Sequence, residues 1–117
     1  MGPNGNGSSW FAQRKVRGVG EDGGGEVVTI WIERRPGAVW AVGRAVGLEE
    51  RHDGAVRRDD YVFEGYEMGD ALGAANDCLR SDLEIAREDG LEQELGEFNE
   101  DELKAPLERW FFGHSPA

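Results

Sequence analysis

The first half of the chain contains short runs of β-branched and aromatic residues separated by turn residues, which is the pattern of β-strands. The runs cover residues 10–16, 26–33, 38–46 and 60–67. Pro36-Gly37 separates the second run from the third and is a common turn dipeptide, whereas glycine-rich and charged stretches separate the others. Because consecutive strands usually pair with their neighbours, the pattern predicts an antiparallel four-stranded meander.

From Asp70 onward the apolar residues recur at spacings of three and four, as they do in an amphipathic helix. This stripe consists of Ala71, Leu72, Ala75, Cys78, Leu79, Leu83 and Ala86. Gly90 supplies a stop. A long main helix is therefore predicted over residues 68–90, and its length suits a position along one face of the sheet.

The remaining stretch, residues 91–117, is acidic and is predicted to be helical. Asn99 followed by Glu102 has the form of a helix N-cap, and Pro106 predicts a kink or two short helices. The apolar residues that follow the cap are Leu103, Leu107, Trp110 and Phe111.

Together these patterns predict an α+β fold: an antiparallel four-stranded meander with a long amphipathic helix on one face and a C-terminal helical segment. Residues 1–9 have nothing to bury and are predicted to be a disordered tail. Residues 10–117 are predicted to form a single domain, divided into the sheet (10–67), the main helix (68–90) and the acidic C-terminal segment (91–117).

The hairpin around Pro36-Gly37 has apolar residues on both faces, and its register decides which residues share a face. If the loop is centred on this dipeptide, opposite residues have numbers that sum to 73. One face is then predicted to contain Trp31, Trp40, Val42, Arg44, Glu33 and Thr29. The other is predicted to pair Val28, Ile30 and Ile32 with Ala45, Gly43 and Ala41. This second face offers a shallow trough, so we expect it to receive the small residues of the main helix.

Something must then cover the face with Trp31 and Trp40, and three alternatives for this cover remain open. The C-terminal segment can fold back over the tryptophans and complete three layers. A second copy of the chain can meet the exposed face or an edge strand. The face can also be a binding platform for a peptide or for a nucleic-acid base, with tryptophan stacking on the base and arginine neutralising phosphate.

Charge is distributed unevenly along the chain, whose net charge is −11. Residues 1–58 hold nine basic and seven acidic residues, a net +2, whereas residues 59–117 hold four and seventeen, a net −13. The acidic total disfavours unaided binding to nucleic acid, and no apolar run is long enough to span a membrane. The basic residues of the first half either form a solvated sheet surface with ion pairs to the acidic half, or form a strip suited to single-stranded nucleic acid.

The acidic run has two interpretations, a solvated helical surface or a surface for a basic partner. The partner hypothesis names Glu84, Glu88, Glu92, Glu94 and Glu97.

Candidate chemistry is sparse. Cys78 is the only cysteine and falls on the apolar stripe, so a buried thiol is expected and an intrachain disulfide is excluded. His52 and His114 lack a matching set of metal ligands. Residues 18–23 match G-x-G-x-x-G formally, but a strand follows them and two acids would repel a pyrophosphate. We expect no catalytic group, no cofactor and no metal.

The sequence therefore predicts a small, acidic, non-enzymatic protein-interaction domain, with either a protein partner or self-association as a homodimer. The alternative is single-stranded nucleic-acid binding through the Trp/Arg face of the sheet. The cytoplasm is the expected location, because the chain has a single cysteine and its start lacks the features of a signal peptide.

Overall fold

The computed structural model describes residues 9–18, 26–53 and 55–113, with four strands in one antiparallel sheet. The strands are β1 (Ser9–Arg17), β2 (Val27–Arg35), β3 (Val39–Val46) and β4 (Tyr61–Gly65), in that spatial order. Two helices follow, α1 (Met68–Glu88) and α2 (Glu100–Gly113). The predicted α+β meander with a long helix and a C-terminal helix is confirmed.

Some predictions fall outside this description. They concern the tail over residues 1–8, most of the glycine-rich loop (19–25), the side chains of Trp110 and Phe111, and His114. Ser9 was predicted as part of the tail and is the first residue of β1.

One face of the sheet forms the main core with α1. The strands contribute Val16, Val28, Ile30, Ile32, Trp40 and Val42 to it. The helices and the segment between them contribute Ala71, Ala75, Leu79, Ala86, Phe98 and Leu103. The small residues of α1 lie where the strand residues are large, so the helix axis can approach the sheet closely.

α2 lies on the same side of the sheet as α1 and contacts β1. Leu103 is fully buried in the main core, and Leu107 packs against it. The prediction that these residues cover the opposite face in a third layer is wrong. The arrangement has two layers, because β1 leaves a strip of core beside α1 that the apolar side of α2 fills.

The register of the β2–β3 hairpin differs by one residue from the prediction. Opposite residues sum to 74, with Trp31 opposite Gly43 and Arg34 opposite Trp40. The loop has three residues because both Gly37 and Ala38 adopt left-handed backbone conformations, with φ of 83° and 63°. Alanine rarely does so, and the sequence therefore favoured a two-residue loop.

This shift moves every β3 side chain to the face opposite the predicted one. The core face of β3 carries Trp40 and Val42, with Arg44 beside them. The outer face carries Ala41, Gly43 and Ala45. The predicted match of small strand residues to small helix residues is therefore wrong, whereas the placement of Val28, Ile30 and Ile32 under α1 is correct.

α1 ends at Glu88, two residues before the predicted end, and Gly90 supplies the predicted stop. Gly90 has a φ of 87°, and the amide of Leu91 donates to the carbonyl of Ala86, as in a Schellman motif. Within the described part of the predicted helical segment 91–117, residues 91–99 are neither helix nor strand and Glu100–Gly113 are helical. The predicted cap is confirmed, since Asn99 and Glu102 exchange side-chain to backbone hydrogen bonds of 3.1 and 3.2 Å. α2 continues through Pro106.

Neither helix in the described ranges combines the length and the apolar character needed to cross a bilayer.

Candidate functional site

The six residues predicted to share a binding face lie on two opposite faces of the sheet. Thr29, Trp31 and Glu33 are on the outer face. Trp40, Val42 and Arg44 are on the core face, under the helices. The prediction of one Trp/Arg face is wrong because of the one-residue shift in the hairpin. Trp31 and Trp40 are nonetheless both buried, with exposures of 0% and 2%.

Trp31 is covered on the outer face by aromatic residues of the two edge strands, and we call Trp10, Trp31 and Tyr61 the outer aromatic cluster. The rings of Trp10 and Trp31 are stacked, with centroids 4.4 Å apart and planes inclined by 12°. Tyr61 meets Trp31 edge-on at 5.7 Å. Below the indole lies Gly43, where any side chain would collide with the ring. A single chain thus covers the outer tryptophan with its own side chains.

Irregularities in both edge strands place these aromatics. The pairing of β1 shifts between Trp10 and Ala12, so Phe11 and Ala12 both pack against the core while Trp10 turns outward. The pairing of β4 shifts between its bonds to Val42 and Gly43, so Tyr61 lies opposite Gly43 on the outer face. Neither bulge has a signal in the sequence.

A buried carboxylate connects the outer aromatic cluster. Glu33 is 1% exposed and accepts hydrogen bonds from Trp31 Nε1 at 3.0 Å and from the Tyr61 hydroxyl at 2.8 Å. Its other oxygen accepts from Arg35 Nε at 2.8 Å, and Arg35 also stacks over the Tyr61 ring. Burial, followed by the hydrogen bond to Glu33, raises the pKa of Tyr61 to about 12. Glu33 thus joins the Trp31 indole, the Tyr61 hydroxyl and Arg35 in one buried network, whereas the buried Trp10 Nε1 has no hydrogen-bond partner.

The Arg44–Asp82 pair was not predicted. Arg44 Nε and Nη2 donate to the two carboxylate oxygens of Asp82 at 2.8 and 2.7 Å. Asp82 is 2% exposed, and its hydrogen bond is the main cause that raises the pKa of Arg44. A signal existed in the sequence: Asp82 lies three residues after Leu79 and four before Ala86, inside the apolar stripe, where a charge requires a counter-ion.

Five of the nine basic residues of the first half form ion pairs within the described chain, and four of these five pair with the acidic half, as one of the two interpretations proposed. The pairs are Arg14–Glu102, Lys15–Glu49, Arg35–Glu64, Arg44–Asp82 and Arg51–Asp60. A cation already paired with a carboxylate has less to gain from a phosphate. The nucleic-acid hypothesis remains a prediction, and its residues would have to act from two faces.

Three of the five predicted acidic residues, Glu84, Glu92 and Glu94, line one groove. Glu84 and Glu88 lie on the last turns of α1, and Glu92, Glu94 and Glu97 lie on the irregular segment that follows it. All five are exposed. Between α1 and this segment runs an open groove of about 340 Å³, which we call the acidic groove. It is lined by Arg80, Leu83, Glu84, Arg87, Glu92, Gln93 and Glu94.

The segment that forms one wall of the acidic groove is fixed by side-chain clamps. Asn76 of α1 donates to the Phe98 carbonyl at 3.0 Å and accepts from the Phe98 amide at 2.7 Å. Gln93 makes the same reciprocal pair with the backbone of Arg17, at 2.8 and 2.9 Å. Arg14 Nε donates to the Gly96 carbonyl at 2.8 Å. Because both walls are anchored, the groove is preorganised.

The charges around the acidic groove are incompletely compensated. Arg80 pairs with Asp77 and Glu97, and Arg87 pairs with Glu84. Within the described part of the chain, Glu88, Glu92 and Glu94 have no cationic partner. The groove lining itself holds three carboxylates, Glu84, Glu92 and Glu94, and two guanidinium groups, a net charge of −1. Glu88, Asp89 and Glu97 are further exposed carboxylates on the same two segments of the chain. The half-buried Leu83 adds an apolar patch.

No protein-family model, curated protein or solved structure matches this chain. Among the residues that the structure describes, no group of three or more His, Cys, Asp or Glu side chains is arranged to hold a metal ion.

Proposed function

We propose that this chain is a non-enzymatic protein-interaction domain whose acidic groove binds a basic segment of another protein. The observation that carries the proposal is the pair of exposed, unpaired carboxylates, Glu92 and Glu94, that line a preformed groove, with the exposed and unpaired Glu88 on the last turn of the adjoining helix. Lysine and arginine side chains would pair with these carboxylates, and their aliphatic stems would pack on Leu83.

The anchoring of the groove supports binding rather than simple solvation. A solvated acidic surface needs no fixed shape. Here, the side-chain amides of Asn76 and Gln93 each donate and accept a hydrogen bond, and these bonds hold the segment between α1 and α2 in place. A preformed site loses less entropy when its partner docks. The net charge of −11 also speeds the approach of a basic partner at low ionic strength.

The test is titration of the full chain with a fluorescent peptide of alternating lysine and leucine residues, at low and at physiological salt. The double variant Glu92→Gln/Glu94→Gln should weaken binding roughly tenfold at low salt, since two rim charges are lost. The matched control, Glu50→Gln/Glu67→Gln, removes two exposed charges elsewhere and should change the affinity less than twofold. An equal loss of affinity in both double variants would show that binding depends on net charge alone and would refute binding in the acidic groove.

Self-association through β4 is the second candidate. Within the described sheet β4 pairs only with β3, and its region exposes 52% of Val62 and 73% of Tyr66. An open edge strand with exposed apolar side chains is a template for pairing with another chain. Light scattering over micromolar concentrations should report a dimer that Val62→Lys abolishes. Ile85→Lys, at a site of 40% exposure on α1, is the control and should leave the dimer intact.

The same proposal places the protein in the cytoplasm. Cys78 is free and half buried, and burial raises the pKa of its thiol. The chain offers it no second cysteine, which suits a reducing compartment. The check is to treat intact cells with a thiol reagent and to measure the labelling of Cys78 after the chain is denatured. A reduced Cys78 supports the location, and a mixed disulfide contradicts it.

A further inference from the structure

Arg34 is a buried cation at the hairpin end of the sheet. Only 7% of the residue is exposed, and its guanidinium carbon lies 4.6 Å from the centroid of the Trp40 ring on the core face. Its Nε is buried and has no hydrogen-bond partner in the described chain. Burial lowers the pKa of Arg34, but an arginine in a protein stays protonated. The group is therefore a charge held out of water.

The other arginines that reach into the structure each meet a carboxylate. Arg14 pairs with Glu102, and Arg44 pairs with Asp82. Arg34 makes no ion pair with any carboxylate of the described residues. The attraction to the Trp40 ring recovers only part of what burial of a cation costs. A missing anion is the simplest explanation of this arrangement.

The start of α1 adds positive potential at the same end of the sheet. Arg34, Trp40 and Gly65 are neighbours across three adjacent strands, which are about 4.8 Å apart, and α1 begins three residues after Gly65. The N-cap residue Glu67 gives the helix amides no side-chain hydrogen bond. Free amides and the helix dipole favour an anion there. The exposed Asp70 lies in the first turn but makes no pair with Arg34.

We propose that Arg34 is the centre of an oxyanion site that takes a carboxylate or phosphate group from solution. The Trp40 ring holds the guanidinium plane, and the terminal amino groups are left to bind the anion. Nε is buried without a partner, and the terminal nitrogens donate to no carboxylate of the described residues. The 7% of the residue that is exposed is the route by which an anion would reach them. A planar guanidinium can bind two oxygens of such a group at once. This site is separate from the acidic groove and opposite to it in sign.

The direct test follows the Arg34 Nε–H signal of the full-length chain by ¹H–¹⁵N NMR. Sodium phosphate and sodium acetate are added separately against sodium chloride of equal ionic strength. The proposal expects a saturable shift of this signal and of the Trp40 indole signal with phosphate, with acetate, or with both. A shift with phosphate alone identifies a phosphate ligand, and a shift with both extends the site to carboxylates. No saturable shift with either anion overturns the proposal.

Thermal melting provides the variant test. Phosphate at ten times its Kd should raise the melting temperature of the wild type by roughly 4–8 °C over chloride. Phosphate also stabilises proteins nonspecifically, so the difference between variants is the measure. Arg34→Met should lose the specific rise, whereas Arg58→Gln, which removes an exposed arginine, should keep it. An equal rise in Arg34→Met and the wild type overturns the proposal.

Discussion

Gly43→Ala is the sharpest test of the outer aromatic cluster and of the hairpin register beneath it. A Cβ at position 43 would lie 2.0 Å from Trp31 Cζ2 and 2.3 Å from Cε2. Carbon atoms in contact are normally about 3.5–4.0 Å apart. The indole would therefore have to move by about 1.5 Å to admit a single methyl group.

Trp31 has no room for such a movement. Trp10 is stacked on its far side at 4.4 Å, and the indole N–H is fixed by its 3.0 Å hydrogen bond to the buried Glu33. Overpacking costs about 1–3 kcal/mol, and a buried hydrogen bond broken by the shift adds about 1–3 kcal/mol. We expect the free energy of unfolding to fall by about 3–4 kcal/mol, which corresponds to roughly 12–16 °C in melting temperature.

The assay is urea unfolding followed by far-UV circular dichroism, with the near-UV spectrum reporting the stacked indoles. Gly73→Ala is the matched control, because nothing lies within 4 Å of its Cβ and alanine in a helix gains about 0.5–1 kcal/mol over glycine. If Gly43→Ala stays within about 0.5 kcal/mol of the wild type and keeps its near-UV spectrum, the indole does not lie on Gly43 and the register is wrong.

Three further predictions concern charges. Arg44→Met leaves the Asp82 carboxylate buried without its partner and should lower the free energy of urea unfolding by about 3 kcal/mol. The double variant Arg44→Met/Asp82→Leu should recover most of this loss, and a double variant as unstable as Arg44→Met would contradict the prediction. Arg14 is the main cause that holds the pKa of Glu102 below its ordinary 4.5, so the Glu102 charge stabilises the fold above that pH and loses its contribution as the pH falls through the folded pKa. Glu102→Gln keeps a capping side chain and should lower the free energy of unfolding by about 1 kcal/mol at pH 7. This difference from the wild type should disappear in acid, and a difference that does not change with pH would refute the Arg14–Glu102 pairing. Glu88→Lys puts a cation in the last turn of α1 and should raise the free energy of unfolding by about 0.5 kcal/mol. The same variant should bind the basic peptide more weakly, and a loss of stability would contradict the prediction.

The elements that depend on local sequence could be predicted. The period of the stripe from Ala71 to Ala86 predicted α1, and Gly90 predicted its stop to within two residues of Glu88, where the helix ends. Asn99 and Glu102 fixed the start of α2, because a capping box needs only residues three positions apart. Residues 91–95 carried no comparable signal, because their apolar positions, Leu91 and Leu95, are four apart and suit a helix. In the structure this stretch is neither helix nor strand, and its side chains alternate between half-buried and exposed.

The candidate sites differ in how far the sequence could predict them. Three of the five predicted glutamates, Glu84, Glu92 and Glu94, line the acidic groove, and their exposure could be predicted because a run of charges favours a solvated surface. That a partner binds them stays a prediction. The face assignment of Trp40 and Arg44 depends on a single loop residue, Ala38, whose left-handed backbone adds one residue to the turn. Nothing about alanine indicates that conformation. The positions of Trp10 and Tyr61 depend in turn on bulges that arise from packing between distant strands.

Two charges near the ends of α1 lack a counter-charge among the described residues. A helix is stabilised by anions near its start and cations near its end, and Asp70 in the first turn and Arg87 in the last turn follow this rule. Arg34, at the end of the sheet where α1 begins, and Glu88, in the last turn, have no ion-pair partner in the described chain. Arrangements that cost stability without local compensation are expected where a protein binds something. An anion at Arg34 and a basic segment in the acidic groove would each supply the missing counter-charge, so each ligand should raise the melting temperature of the chain independently.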